Sequence, residues 1–310
     1  MKIIIDTDPG QDDAITALLA IASPEIELLG VTTVAGNVPV SMTTRNALQM
    51  LDLAGRPDIP VYAGSNKPLL RAPITATHVH GASGFEGAVL PPPSRKENEG
   101  HAVDFIIDTL RNNEPGTITI CTIGPLTNIA LALNKAPEVI QRAKQIVMMA
   151  GAFSEVGNIT PAAEFNIYVD PHAAQMVLSS GIPIVMMPLD ITHQLHTSAK
   201  RIARMEALPN RVGPVVAAWL RMEKAYEAKK YGTDGGPLHD PNTVMWLLRP
   251  DIYSGRKVNV QIETQSELTM GMSVVDWWQV GLLPANVTFL RTVDDDEFYE
   301  VLIERLGRLP

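Results

Sequence analysis

Four carboxylates fall within eight residues near the start of the chain, in Asp6-Thr7-Asp8-Pro9-Gly10-Gln11-Asp12-Asp13. They follow Lys2 to Asp6, a short β-branched run that reads as a strand. The cluster therefore stands at a strand's C-terminal end, outside which open α/β sheets bind ligands. Like charges packed this closely repel, and a bound cation is the simplest remedy. Oxygen-only donors select a hard ion, calcium or magnesium, over zinc. The competing reading is structural: Asp12 and Asp13 cap the following helix while Asp6 and Asp8 decorate a turn. It suits an isolated pair better than the whole string.

A second cluster is Asn158 with Glu164-Phe165-Asn166, followed by Asp170-Pro171. Amides and carboxylates so placed suit hydrogen bonding to sugar hydroxyls, although capping and turn formation are routine work for Asn and Asp. A third is His239-Asp240-Pro241, where a carboxylate adjoins an imidazole able to act near neutral pH; many such pairs are structural. His78, His101, His172, His193 and His196 stand in no motif and are given no role. The single cysteine, Cys121, sits in an apolar strand pattern and reads as a small buried hydrophobe. The tryptophans, including Trp277-Trp278, fit packing or a subunit interface better than base stacking.

The elements that must position these groups alternate. Strand-like runs lie at Lys2–Asp6, Glu27–Val34, Pro60–Ala63, Thr117–Thr122, Gln145–Met149 and Ile182–Met187. Helical patterns fit between or after them at Asp12–Ser23, Ser41–Ala54, Ala102–Asn112, Leu126–Asn134, Pro171–Ser180 and Pro214–Lys230. Fully apolar strands alternating with helices imply an α/β fold, an open, mostly parallel central sheet with helices on both faces. Two segments break the rhythm, at 64–100 (five prolines and His78-Val79-His80-Gly81) and at 225–240; long irregular segments of this kind are usually functional loops. The whole of 1–310 reads as one domain.

Bulk properties limit the alternatives. Apolar residues make up 45% of 310 and charged residues 19%, ordinary for a soluble protein with a large core. A net charge of −9 argues against a broad nucleic-acid footprint. One cysteine excludes an intrachain disulfide, the opening apolar run is too short for a signal peptide core, and no stretch suits a bilayer. A cytoplasmic protein without a membrane partner is the expectation.

The motifs taken together resemble the inosine-uridine preferring nucleoside hydrolases. The signature is Asp6-Thr-Asp-Pro-Gly-Gln-Asp-Asp-Ala14. It continues in Ala35-Gly36-Asn37, Gly124-Pro-Leu-Thr-Asn128, Ala163-Glu-Phe-Asn166 and His239-Asp-Pro241, in family order over nearly the whole chain. His80-Gly81-Ala82-Ser83-Gly84 is similar to the pyrimidine-favouring bacterial subgroup.

The resemblance implies a Rossmann-like nucleoside hydrolase fold and calcium-dependent hydrolysis of the N-glycosidic bond of ribonucleosides. Pyrimidine nucleosides are favoured, without excluding purines. It implies calcium held by Asp8, Asp13, Asp240 and the carbonyl of Ile123, with Asp8 taking a proton from the attacking water. The transition state would carry oxocarbenium character. Asp12 and Asn166 are expected on the ribose diol, Asn158 and Glu164 on the 5′-hydroxyl, Asn37 and Asp6 in support, and Met149 beside the sugar. His239 and His80 are the candidates for assisting the departing base, with Tyr226 and Tyr231 as stacking or proton-donating partners. A homodimer or homotetramer is implied. Two other readings are a haloacid-dehalogenase-like magnesium phosphatase, which Pro9-Gly10 and the pair Asp12-Asp13 fit poorly, and a non-catalytic nucleoside-binding protein.

Overall fold

Side chains alternate across a strand, so Ile3-Ile4-Ile5 can be wholly buried only if apolar layers lie on both faces. All three are inaccessible to solvent. Ile3 and Ile5 join Val31, Cys121, Val147 and Val185 in one hydrophobic cluster. Ile4 joins Ile118, Ile120, Ile146, Met148 and Ile184 in a second. Each such side chain contributes roughly 1.5–3 kcal/mol on leaving water, so the two layers hold the central strands in place from both sides.

The computed structural model describes the backbone of residues 1–231 and 235–310, and the side chains of all of these except 223–231. Nine strands form one sheet: β1 (Lys2–Thr7), β2 (Glu27–Thr33), β3 (Val61–Ala63), β4 (Ile118–Thr122), β5 (Gln145–Met149), β6 (Ile184–Met187), β7 (Tyr253–Ile262), β8 (Ser273–Asp276) and β9 (Val287–Val293). Their spatial order is β3-β2-β1-β4-β5-β6-β9-β7-β8. Every pair from β3 to β9 is parallel. β7 runs antiparallel to β9 and β8. The open, mostly parallel α/β sheet expected from the sequence is present, and each strand and helix expected between residues 2 and 230 has a counterpart within a few residues.

The sequence pattern assigns no element beyond residue 241. There β9 inserts parallel beside β6, and β7 and β8 complete the edge. A helix at Asp295–Leu306 follows, its first turn capped by the Asp294 carboxylate, which accepts from the Glu297 N–H. In the irregular segment 64–100, the residues after β3 hold only a single helical turn, Thr77–His80.

The order reverses direction between β1 and β4, and such a switch point opens a crevice at the carboxyl ends of the strands. Asp6 and Thr122 are register partners there. Asp8 and Ile123 therefore leave adjacent strands at nearly the same level.

Candidate active site

The helix Gln11–Ile21 starts within the acidic string, and its first turn carries Asp12 and Asp13. Asp13 does cap it: Oδ2 accepts from the Gly10 N–H at 2.8 Å, and Oδ1 accepts from the Thr7 hydroxyl at 2.5 Å. Capping and ligand binding are compatible, since a carboxylate has about four lone-pair sites. Asp8 is held from the side, with the Asn37 N–H donating to Oδ2 at 2.7 Å, while Oδ1 is buried without a hydrogen-bond partner. Two glycines make room for it. A Cβ on Gly36 would lie 2.0 Å from Asp8 Oδ2, and one on Gly124 would lie 2.5 Å from Oδ1.

Asp240 arrives from far along the chain. Ligand atoms of Asp12, Asp13 and Asp240 lie within 4.8 Å of one another, all three residues buried. Asp8 is outside that tightest group, but its charge is felt by Asp240, and those of Asp12 and Asp13 are felt by Asp8. No basic side chain pairs with the four among the described residues; their hydrogen-bond donors are neutral. Burial, then mutual repulsion, pushes Asp12 up to about 7, and the same causes hold Asp8 and Asp240 well above the carboxylate range. Asp6 also rises to about 7 through burial, although Thr32 and Asn128 donate to its Oδ1. Crowded buried carboxylates with an orphaned oxygen are the donor set of a hard cation, and this cluster could hold a metal ion.

Beside the cluster is a cavity lined by Asp12, Asn37, Ile123, Met149, Asn166 and Asp240 at one side, and by Asn158, Glu164, His80 and His239 among others. Glu164 caps the short helix Phe165–Val169: Oε1 accepts from the Asn166 N–H at 2.8 Å, and Oε2 from Gly151 at 3.0 Å and Ile167 at 3.2 Å. Burial nevertheless lifts its carboxyl to about 7. The Asn158 Oδ1 accepts from the Phe165 N–H at 2.9 Å. Asn166 donates through Nδ2 to the carbonyls of Ile123 (3.2 Å) and Met149 (3.1 Å), a geometry that leaves Oδ1 as its acceptor. Asp170 stays out of the cavity; it caps Pro171–Leu178 and accepts from the Thr127 hydroxyl and the Leu69 N–H, the capping alternative raised by its sequence. The Gly124-to-Asn128 motif thus clears space for Asp8, anchors Asp170 through Thr127 and holds Asp6 through Asn128.

The two histidines singled out both line the cavity, one from each irregular segment. His239 Nδ1 is 2.8 Å from the Thr192 hydroxyl, and its ring meets that of His193 edge-on with centroids 5.9 Å apart. His193 in turn lies 3.0 Å from Glu155 Oε2, so a residue given no role from sequence backs one that was. His78, also given none, lines the cavity as well, and Val79, Ile159, Phe165 and Pro237 supply its apolar wall. Phe165 was legible, standing between Glu164 and Asn166; the other three carry no sequence signal. The side chains of Tyr226 and Tyr231 lie outside the described residues. Gln11, unremarked in the sequence, is buried between Gly10 and Asp12 and contacts His80.

Known proteins match this arrangement throughout. A family model described as inosine-uridine preferring nucleoside hydrolase matches residues 3–300. The chain is 47% identical over 307 residues to the pyrimidine-specific ribonucleoside hydrolase RihA of Salmonella schwarzengrund (strain CVM19633), covering 99% of this chain and 98% of that protein. Among solved structures, the purine-preferring ribonucleoside hydrolase from Gardnerella vaginalis superposes with a TM-score of 0.92 at 31% identity, covering 99% of this chain and 98% of that one. The plant nucleoside hydrolase PpNRh1 gives 0.90 at 33% identity, with coverage of 99% and 98%. The phosphatase reading of the acidic string is thereby set aside. The chain belongs to the inosine-uridine preferring nucleoside hydrolase family and is a ribonucleoside hydrolase, cutting the N-glycosidic bond between base and ribose.

Proposed function

We propose that this enzyme is calcium-dependent and favours pyrimidine nucleosides while retaining some purine turnover. The observation that carries the metal assignment is the buried carboxylate cluster of Asp12, Asp13 and Asp240 together with the unpartnered Oδ1 of Asp8. Asp8, Asp13, Asp240 and the Ile123 carbonyl would hold the ion. The chemistry calcium supplies when bound is to ease removal of a proton from water and to grip neighbouring hydroxyl oxygens.

The chain's own groups do the rest. Asp8, made basic by burial, takes the proton of the attacking water. Asp12 and Asn166 receive the ribose diol, the Asn166 amide oriented for this by its two carbonyl acceptors. Glu164 and Asn158 hold the 5′-hydroxyl, Asn37 and Asp6 brace the loop, and Met149 packs beside the sugar. Neighbouring carboxylates stabilise the positive charge that develops on the ribose as the base departs. His239, steadied by Thr192, delivers a proton to the leaving base. His80 lines the same cavity and assists the departing base, with Tyr226 and Tyr231 as its stacking or proton-donating partners.

The pyrimidine preference is supported by the 47% identity to relatives named as pyrimidine-specific. We also place the enzyme in the cytoplasm as a homodimer or homotetramer without nucleic-acid or membrane partners. An exposed apolar run at the sheet edge, with Trp278, Val280 and Leu282, supports self-association. No helix among the described residues is long and apolar enough to cross a membrane.

The test is a kinetic panel of uridine, cytidine, inosine and adenosine with chelator, and with calcium restored. Release of free base from uridine and cytidine, lost on chelation and recovered with calcium, is expected. Full turnover in chelator would remove the metal from the scheme, and faster inosine or adenosine cleavage would overturn the base preference.

A further inference from the structure

Gln11 has no counterpart in the chemistry assigned above, yet it is fully buried and touches His80, which lines the cavity. Its amide orientation is fixed by what surrounds it. Nε2 donates to the Glu86 carbonyl at 3.0 Å and approaches the His80 carbonyl at 3.5 Å. Both partners accept only, so this atom must be the NH2 group and Oε1 must point the other way. Oε1 lies 2.5 Å from His80 Nδ1. An amide oxygen cannot donate, so the proton in that contact sits on Nδ1.

The seat is built from several sides. Gly10 is bare where the imidazole lies, since a Cβ there would come 2.6 Å from Nδ1 and 2.9 Å from Cε1. Gly81, at φ +77°, turns the chain just after His80, a conformation that costs glycine little. The turn lets the His80 and Glu86 carbonyls converge on one amide. Burial, with His78 nearby, also lowers the imidazole to about 4, so the ring is neutral at neutral pH.

We infer that Gln11 is a positioning residue that locks His80 as its Nδ1–H tautomer, so that His80 presents Nε2 to the base as a hydrogen-bond acceptor. The ligand chemistry this selects is a nucleobase with a ring N–H, such as uracil or hypoxanthine. It separates the roles of His239 and His80, leaving proton delivery to His239 and base recognition to His80. The inference rests on the nucleoside reading above, but its first test does not.

That test is 15N NMR of the whole enzyme labelled at histidine, near pH 7, with the His80 signals assigned by their loss in His80→Asn. A protonated Nδ1 and an unprotonated Nε2 are expected for His80. In Gln11→Met, which keeps the volume and removes the amide, the signals should move toward the Nε2–H form. The second readout is the ratio of kcat/KM for uridine to that for p-nitrophenyl riboside, which carries no N–H. Loss of one neutral hydrogen bond should lower that ratio in Gln11→Met by roughly three- to tenfold. Thermal melting and calcium affinity of the variant, both unchanged, would show that the fold and the neighbouring carboxylates are intact. An Nε2–H signal in the unmodified enzyme, or an unmoved ratio in a folded Gln11→Met, overturns the inference. If uridine proves no substrate, the base preference fails by itself, and the ratio is read with inosine, whose ring also carries an N–H.

Discussion

Removing the metal should invert the pH dependence of this enzyme's stability. An acid whose folded pKa lies above its unfolded value binds protons more tightly when folded, so stability falls as pH climbs between the two. Asp6 and Asp12 rise from 3.8 to about 7, and Glu164 from 4.5 to about 7. At about 1.4 kcal/mol per pKa unit, lowering the pH from near 7.5 to near 5.5 relieves each of these groups by about 2 kcal/mol. His80 acts in the opposite sense. Held near 4 against an ordinary 6.5, it contributes stability above 6.5 that is lost as pH falls, about 1 kcal/mol by pH 5.5. The surface carboxylates of Glu25, Asp58 and Glu300 are lowered by arginine partners, and the stability they add is lost only below the ordinary carboxylate range, outside this window. The carboxylates win, so the chelated enzyme should be more stable near pH 5.5 than near 7.5 by a few kcal/mol. Bound calcium needs its ligands deprotonated, so the stabilisation it gives should be greatest at the higher pH. Urea unfolding at both pH values, with chelator and with calcium, measures all four stabilities. A chelated enzyme more stable at the higher pH, or a calcium effect independent of pH, would refute the argument.

Three further outcomes are expected. Asp8→Asn should lose at least about a thousandfold in kcat, combining lost proton transfer with a weakened metal site, measured on uridine with saturating calcium; near-normal turnover would assign water activation elsewhere. 5′-Deoxynucleosides should react more slowly in kcat/KM by about 1–3 kcal/mol because Glu164 and Asn158 lose their partner; equal rates would reduce Glu164 to the helix cap it also is. His239→Ala should depress kcat on uridine far more than on p-nitrophenyl riboside, with calcium affinity unchanged; an equal loss on both would make His239 a support for its neighbour Asp240.

The parallel strands were legible because both of their faces are buried and their residues are uniformly apolar. β7 was not: Ser254, Gly255 and Lys257 are exposed in its first half, only Val258 to Ile262 alternates apolar and polar, and its partner β9 comes later in the chain. The carboxylates of the candidate site were legible for a different reason, since four acids within eight residues demand an explanation. Asp170 carries the same kind of side chain and turned out to be a cap, because composition cannot say which way a side chain faces. Gln11 was invisible: an uncharged amide has no chemistry alone, and its significance comes from carbonyls at residues 80 and 86 that only the fold brings to it.

Asp12 and Asp13 stand near the chain's beginning, and Asp240, which crowds them, stands well past its middle. The ribosome therefore delivers β1 through β6 before it delivers the residue that completes the cluster. Until then the early aspartates repel one another but lack their remote neighbour. Completing the polypeptide adds one more carboxylate, itself raised by the charges of Asp12, Asp13 and Asp8, and a cation spanning both ends would act as a late staple across a long loop. The ion's site would thus be complete only in chains translated past Asp240.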